Sequence, residues 1–399
     1  MMARSRVLSQ SKAVYVTKTG LLASSDGAKP SGVEATQLHR IDNLSFEVDI
    51  AGSRQDIREF GKLARIGTLV DSDLNATASV GYLLTDGENE HHLGFEIKES
   101  LQGAFAGNVQ GISGFLTESD DHKERNVFIC TVGEGKDAFA SESWEDRSEH
   151  DVVGLGNAFI SDYAVELSVG DIPRADVSFE ANNLVFYTGA SSGLANPSIG
   201  LTDATRADSG QAALPIPTTG ESFVDVLRHG QIELTLQDET PLGMGGADLA
   251  EFHPQSVSIS VPLARETLER LGNERAYSRP LSFPIDVTLS VNAIAADLKD
   301  GELATLLTGC GGQEKRNINV KLFDRCDGTT LRLGYQLKQA VLDSQSFSQD
   351  LEGNETVDLQ FSAQIGGATT TTDGFFMTGS YDLAGGSPIN PTLVSGLAG

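Results

Sequence analysis

One short motif in the sequence has the spacing of a catalytic nucleophile. Residues 189–193 read Gly-Ala-Ser-Ser-Gly and follow a strand-like stretch, Leu184–Tyr187, as in the G-x-S-x-G turn of serine hydrolases. That turn must be followed by a helix, whereas Leu-Ala-Asn-Pro comes next and no alternation of strands and helices surrounds the motif. We therefore interpret the segment as a flexible loop in which Ser191 has no catalytic role.

Two other groups have the residue types of metal ligands. His91 and His92 are adjacent, and because adjacent side chains of a strand point to opposite faces, we interpret them as part of a surface loop. The segment Asp71–Asn75 begins like a calcium loop, but Ala76 stands where the sharp turn needs glycine, and no glutamate closes the loop. Neither group predicts an ion site.

The cysteines also argue against a metal centre. Cys130, Cys310 and Cys326 lack the spacing of a metal site and cannot all pair, which favours free thiols in a reducing compartment. The sequence has no Walker loop, dinucleotide-binding fingerprint or zinc signature. It therefore predicts no catalytic residue, no cofactor and no bound metal, and we expect the protein not to be an enzyme.

The charge of the chain restricts its partners. Its 399 residues carry a formal net charge of −27, which disfavours binding to DNA phosphates and to anionic membranes. No apolar run approaches the roughly 20 residues that a membrane span needs, and the first residues lack the apolar core of a signal peptide. We expect synthesis in a cytoplasm, and a surface that is soluble or past which DNA slides without sticking.

Alternating apolar and polar residues predict that strands dominate the fold. In Leu44–Ile50, Phe46 and Val48 belong to a buried face, and Glu47 and Asp49 belong to the opposite, polar face. The same alternation predicts strands at Ala13–Thr17, Ala76–Leu84, Val127–Val132, Ala164–Val169, Val177–Phe186, Ile232–Leu236, Val257–Val261, Val287–Val291, Ile318–Phe323 and Val357–Gln364. Helices are predicted at Asp297–Leu307 and at Ser100–Phe115, the latter weakened by its glycines.

Two stretches of the chain resemble each other. Residues 45–80 and 256–291 align without a gap at an offset of 211 (256 − 45), with a shared apolar pattern. Two shorter pairs follow in the same order along the chain. Arg125–Ile129 resembles Arg316–Val320, and Asp176–Ala181 resembles Asp358–Ala363.

The repeats predict a duplicated module. We expect a first module at 1–195, a linker rich in Pro, Gly, Ser and Thr at 196–220, a second module at 221–385 and a polar tail at 386–399. The predicted fold class is mainly β, with two tandem β-sandwich or partly open barrel modules, each with a peripheral α-helix.

Parts of the first module resemble the tail tube proteins of long-tailed bacteriophages. The resemblance lies in Asn43–Phe95, which includes the stretches Arg54–Ile66 and Tyr82–Glu90, and in Tyr163–Phe179. It implies a tube-type β-sandwich whose inner sheet joins the sheets of its neighbours into a hollow barrel. Rings of such subunits stack, and the viral genome passes through the lumen.

The duplication adds to what this resemblance implies. Most members of the family carry one module and form hexameric rings, whereas a two-module chain resembles the class in which three subunits make a pseudo-hexameric ring. The expected partners are then further copies of the chain in stacked homotrimeric rings, other phage tail proteins, and double-stranded DNA that passes without specific binding. The expected location is the virion tail, after synthesis in the host bacterial cytoplasm. Glu47 and Asp49 are the candidate lumen-facing residues.

Two other classes of function are compatible with a β-rich, acidic chain. One is a different virion component, namely a tail terminator, distal tail protein or capsid decoration protein. The other is a carbohydrate-binding β-sandwich, for which clustered exposed aromatic residues near paired carboxylates are typical. A single tryptophan, Trp144, disfavours that second class.

Overall fold

The computed structural model describes most of the strand-forming regions of the chain. The described residues are 7–18, 35–49, 54–70, 75–97, 112–116, 124–133, 150–188, 194–199, 211–212, 227–238, 254–272, 276, 278–294, 315–324, 328, 330–348, 356–365 and 372–380. Strands make up 68% and helices 4% of the structure. The predicted mainly-β fold is confirmed.

The strands fall into two runs along the chain. The first run comprises β1 (Val7–Lys18), β2 (Thr36–Leu38), β3 (Ile41–Asp49), β4 (Arg54–Ile57), β5 (Gly67–Val70), β6 (Asn75–Leu83), β7 (Arg125–Gly133), β8 (Asp151–Ser168), β9 (Arg174–Thr188) and β10 (Leu194–Ala195). The second run comprises β11 (Gln211–Ala212), β12 (Ile232–Asp238), β13 (Pro254–Pro262), β14 (Ile285–Ile294), β15 (Arg316–Phe323), β16 (Leu331–Ser348), β17 (Thr356–Ile365) and β18 (Gly374–Gly379). A short helix, α1, spans Glu88–Leu93, and a 3-10 turn spans His229–Gln231.

Fourteen of these strands form one antiparallel sheet. In the first run the pairing order is β1-β7-β8-β9-β6-β3, with β2 outside β1. In the second run it is β12-β15-β16-β17-β14-β13, and β18 also pairs with β16. Strand β13 pairs with the last part of β8, from Asp162 to Ser168, and so joins the two runs. Apolar side chains from both runs pack into a single core cluster.

The long strands β8 and β16 have the same irregularities. Each shifts its register with the next strand, between Ile160 and Asp162 in β8 and between Leu342 and Ser344 in β16. Each also contains a non-glycine residue with a left-handed backbone, namely Asn157 with φ 51° and Gln339 with φ 56°. Both pairs of positions lie 182 residues apart (342 − 160 and 339 − 157), so β8 and β16 correspond residue for residue.

The connections from β3 to β6 and from β13 to β14 also correspond. Strands β4 and β5 pair Arg54 with Val70, and a bridge pairs Arg265 with Leu281, 211 residues further along. The edge strands depart from that offset. Ala78 and Leu289, again 211 apart, pair with Phe46 and Ile259 respectively, which are 213 apart (259 − 46).

The predicted helices and the observed helix differ. Asp297–Leu307 and most of Ser100–Phe115 lie outside the described residues, and Ile112–Phe115 form turns. The interpretation of His91 and His92 as a surface loop is wrong, because both belong to α1. Gly87, with φ 98°, turns the chain into this helix, and burial of the Leu93 side chain holds it on the core.

A buried carboxyl group lies where the two runs of strands meet. Tyr82 of β6 and Tyr163 of β8 donate hydrogen bonds to Oε1 of Glu90 in α1, at 3.0 and 3.2 Å. The hydroxyl of Tyr335, in β16 of the second run, lies 3.1 Å from that of Tyr163. Burial raises the pKa of Glu90 to about 7, so at mildly acidic pH this group is a neutral acid.

This group predicts that the free energy of unfolding falls as the pH rises from about 4.5 to about 7. Glu90 titrates near 4.5 when unfolded and near 7 when folded, so its contribution is fully present below the lower value and lost above the higher one. The loss is on the order of 3 kcal/mol. In denaturant unfolding measured between these pH values, the free energy of unfolding of the wild type should fall by this amount as the pH rises. That of Glu90→Gln should lack this fall.

The matched control is Glu47→Gln, which neutralises an exposed carboxylate. We expect this variant to keep the wild-type pH dependence. An equal slope in the wild type and in Glu90→Gln would contradict the assignment of the titration to Glu90.

Candidate functional surface

Eight strands form a continuous stretch of sheet with one polar face. Their order is β3-β6-β9-β8-β13-β14-β17-β16, with β8 and β16 contributing their last parts. Burial alternates along the strands, as in Ile285–Ile294, where every second side chain from Ile285 is buried. The buried side chains belong to the apolar core, so the other face of these strands is polar.

The polar face consists of rows of small hydroxyl residues interrupted by carboxylates. One row joins Glu47, Thr77 and Glu180 in the first run of strands. Another row passes from Glu166 to Ser258 where the runs join. The described carboxylates of this face include Asp42, Glu47, Asp162, Glu166, Asp176, Glu180, Asp286 and Asp358.

Arg174, at the start of β9, is embedded in this acidic surface. Arg174 donates a hydrogen bond to Asp176 at 3.1 Å and lies 3.8 Å from a carboxylate oxygen of Glu166. The hydrogen bond with Asp176 raises the pKa of Arg174, so the guanidinium stays charged. Its positive charge partly neutralises the carboxylates of Asp176 and Glu166. Partial burial raises the pKa of Asp162. The carboxylates of this face still outnumber Arg174, so the described part of the face is acidic.

Glu180 has an additional structural role. Its carboxylate lies 3.1 Å from Nη1 of Arg279, whose side chain is only 4% exposed. Arg279 comes from the connection between β13 and β14, and Glu180 comes from β9. This ion pair holds a segment of the second run against the first run.

The candidate residues Glu47 and Asp49 lie on the first strand of this sheet. Glu47 is exposed on the polar face, and the backbone of Asp49 pairs with that of Asn75. Phe46 differs from the prediction, because it is 38% exposed, whereas Val48 packs partly against the core. The reason is that β3 is an edge strand, so nothing among the described residues covers its outer side. That Glu47 and Asp49 face a lumen stays a prediction.

The sheet is open at both ends. Among the described strands, β3 pairs with β6 alone. At the other end, residues 341–348 of β16 pair with β17 on one side, while β15 reaches only as far as Ala340 on the other. Phe347, in this open stretch, is 45% exposed. Both ends thus present an edge with a partly exposed phenylalanine.

Sequence reasoning about single strands could find part of the polar face. The alternation around Val177 and Val287 already places Asp176, Glu180 and Asp286 opposite the core, so this signal was present. Strand β16 gives no such signal, because the register shift next to Leu342 breaks its alternation.

The groups considered for chemistry lie elsewhere or outside the described part of the chain. Ser191, Asp71–Leu74, Cys310 and Cys326 are outside it, and Leu194–Ala195 after the serine motif is a strand. Cys130 is buried in β7. Within the described ranges, no group of three His, Cys, Asp or Glu residues is arranged to hold a metal ion. No helix among the described residues is long and apolar enough to cross a membrane.

Comparisons with known proteins give weak similarities. No family model and no curated protein matches the chain. A solved structure of the SPP1 tail tube has a TM-score of 0.27 at 10% identity, covering 40% of this chain and 84% of that chain. The anti-feeding prophage baseplate gives 0.26 at 11% identity, covering 34% and 92%, and the tail of an empty GTA particle gives 0.22 at 14%, covering 35% and 95%. At such TM-scores these similarities establish neither a shared fold nor a shared function.

The ion pair predicts unequal effects of neutralising two carboxylates of the same face. Glu180→Gln removes a charged acceptor from the buried Arg279, and we expect it to lower the free energy of unfolding by about 1–3 kcal/mol. Glu47→Gln, on the same row of the sheet, should change it by less than about 0.5 kcal/mol. Urea unfolding at neutral pH measures both. Equal effects would contradict the structural role of Glu180.

Proposed function

We propose that the chain is a structural subunit of a bacteriophage tail tube and not an enzyme. Three chains form a closed ring, the rings stack into a tube, and the acidic sheet face lines a lumen through which viral DNA passes. The observation that carries this proposal is the eight-stranded sheet, with a polar acidic face and an open edge at each end. The resemblance of Asn43–Phe95 to tail tube proteins supports the same function.

The open edges favour closure of the sheet by further copies of the chain. An edge strand presents unpaired backbone N–H and C=O groups, and a ring of subunits removes every such edge. Contacts between unlike edges of identical chains close into a ring when the rotation per subunit fits. The β3 edge and the β16 edge are unlike edges of this kind.

The dimensions support three chains per ring. Three chains supply twenty-four strands, which at a spacing of ~4.8 Å and a tilt of ~40° enclose a backbone circle ~48 Å across. Inward side chains take ~5 Å on each side, so ~38 Å remains. Two chains leave only ~22 Å by the same estimate, which is too narrow for a hydrated duplex about 20 Å across.

The ring of three chains has pseudo-sixfold character. We propose that residues 1–195 and 221–385 are copies of one module, joined by the linker at 196–220 and followed by the tail at 386–399. The matching strand order and the matching irregularities of β8 and β16 support this division. The first residues of the linker are not loose, because the buried Asn196 accepts a hydrogen bond from Asn126 of β7.

The acidic lumen suits the passage of DNA. Duplex DNA carries about one negative charge per 1.7 Å, so carboxylates such as Glu47 and Asp286 repel it and prevent adhesion to the wall. Hydroxyl and amide side chains between the carboxylates keep the wall hydrated. The surface therefore conducts DNA without binding it.

Electron microscopy of the purified chain tests the assembly. We expect rings with threefold symmetry that stack into tubes. Single rings that do not stack would favour a tail terminator or distal tail protein instead. A closed ring with any symmetry other than threefold would refute the proposed trimer.

Charge reversal tests the role of the acidic face. We expect tubes of Glu47→Lys/Asp49→Lys, and separately of Asp286→Lys, to retain duplex DNA at low salt and to release it as the salt concentration rises. Wild-type tubes should not retain it. The control is Glu266→Lys/Glu269→Lys, which makes the same charge change in the exposed connection between β13 and β14. Equal DNA retention by the Glu47→Lys/Asp49→Lys variant and the control, which change the charge equally, would contradict an acidic lumen.

A further inference from the structure

The joint between the two runs of strands supplies a template for a contact between chains. Strand β13 pairs with β8 so that Ile259 lies opposite Val165 and Ser260 lies opposite Ala164. In this joint both Ile259 and Val165 are buried. The joint thus converts two edges into continuous sheet with an apolar and a polar face.

A second contact strengthens the same joint. The connection between β13 and β14 lies across the register shift of β8, where the backbone N–H of Leu263 donates to the carbonyl of Ser161 at 2.9 Å. The guanidinium of Arg265 lies 4.6 Å from the centre of the Phe159 ring, and its Nε donates to the carbonyl of Ile160 at 3.3 Å. The connection therefore acts as a clasp over the joint.

The chain carries a second set of the same parts, which are exposed. Strand β3 corresponds to β13, residues 341–348 of β16 correspond to the joint side of β8, and the β4–β5 hairpin corresponds to the clasp. The hairpin stands out in solvent, with Ile57 and Leu69 each about half exposed. These parts lie at opposite ends of the sheet, so within one chain they do not meet.

We propose that β3 and the β4–β5 hairpin of one chain dock on residues 341–348 of a second copy, in the register of the internal joint. Residues of β3 are numbered 213 below their equivalents in β13, and residues of β16 are numbered 182 above their equivalents in β8. The internal pair Ile259–Val165 therefore predicts that Phe46 lies opposite Phe347 of the second copy. The pair Ser260–Ala164 likewise predicts that Glu47 lies opposite Ser346 of that copy. The proposal specifies the contact within the ring proposed above, and it holds for any closed assembly of this chain.

Side-chain chemistry at the equivalent positions is complementary. Phe46 and Phe347, the partly exposed phenylalanines of the two edges, cover each other on the apolar face. Arg265 donates to the carbonyl of Ile160, the residue before Ser161. Arg54 occupies the position of Arg265 and Asp343 that of Ser161, so the proposed docking brings Arg54 and Asp343 within reach of each other. The second joint thus replaces the contact of Arg265 with Phe159, whose equivalent is Val341, by an ion pair.

Disulfide trapping in the full chain tests the register. In Glu47→Cys/Ser346→Cys, directly opposite residues have Cα atoms about 4.5–5.5 Å apart, which a disulfide spans. Mild oxidation should give covalent dimers and closed trimers on a non-reducing gel. The control Glu47→Cys/Ser348→Cys is displaced by two residues, beyond disulfide reach, and the wild type reports the native cysteines. Both should remain monomeric on the gel.

The outcomes separate the register from the tube function. Equal or stronger cross-linking of the control pair, or no cross-linking of the matched pair in assembled rings, would overturn the register while leaving the tube function standing. Cross-linking of the Glu47→Cys/Ser346→Cys pair, together with Lys variants that do not retain DNA, would support the register and refute the conducting lumen. An isolated monomer at all concentrations would overturn both.

A charge swap tests the clasp separately. Arg54→Glu should weaken assembly by raising the concentration at which rings form about tenfold, since it sets like charges together. Asp343→Arg should do the same, and the double variant should restore most of the loss. Arg58→Glu, a neighbouring hairpin position, is the control and should have less effect. A double variant that is as impaired as the sum of the single variants would overturn the clasp.

Discussion

Unpaired backbone groups at the two ends of the sheet are the constraint on which the rest of this structure depends. An open antiparallel sheet leaves N–H and C=O groups that must bind water or another strand. Inside the chain this requirement is met where β13 joins β8, and the joint is reinforced by the connection that carries Arg265 and Arg279. At β3 and at 341–348 of β16, the same requirement is unmet among the described strands.

Strict alternation gives the sheet its two different faces. Burial of every second residue places a continuous apolar layer on the core, and the intervening positions collect serine, threonine and carboxylate side chains. Glu90 is an exception to this separation of polar and apolar faces, because its carboxyl group is buried. Three tyrosines lie around it, two from the first run of strands and one from the second. The acidic surface is thus a direct result of the strand periodicity, whereas the buried carboxyl group of Glu90 belongs to the junction between the two runs.

Strand periodicity was predictable wherever one side of the sheet faces solvent. Most predicted strands coincide with observed ones. In the strand that contains Val287, for example, buried and outward-facing residues alternate without interruption. Sequence reasoning missed β16 and β18, for two different reasons. The register shift at Leu342 hides β16, and Gly374–Gly379 is buried throughout, so β18 shows no alternation. Phe46 was wrongly predicted to be buried. The alternating pattern identifies the apolar face of a strand, but whether the strand lies at an edge of the sheet depends on distant strands.

The ion pair of Arg279 with Glu180 bears on how such a ring diversifies. At the equivalent positions of the proposed second joint stand Thr68 and Ser362, so in the proposed ring the pair occurs in one kind of joint only. In a ring of identical single modules, every substitution is repeated at every joint. In the proposed ring, the joint within each chain and the joint between chains are formed by different residues. Natural selection can therefore adjust the first for permanence and the second for reversible assembly, each without changing the other.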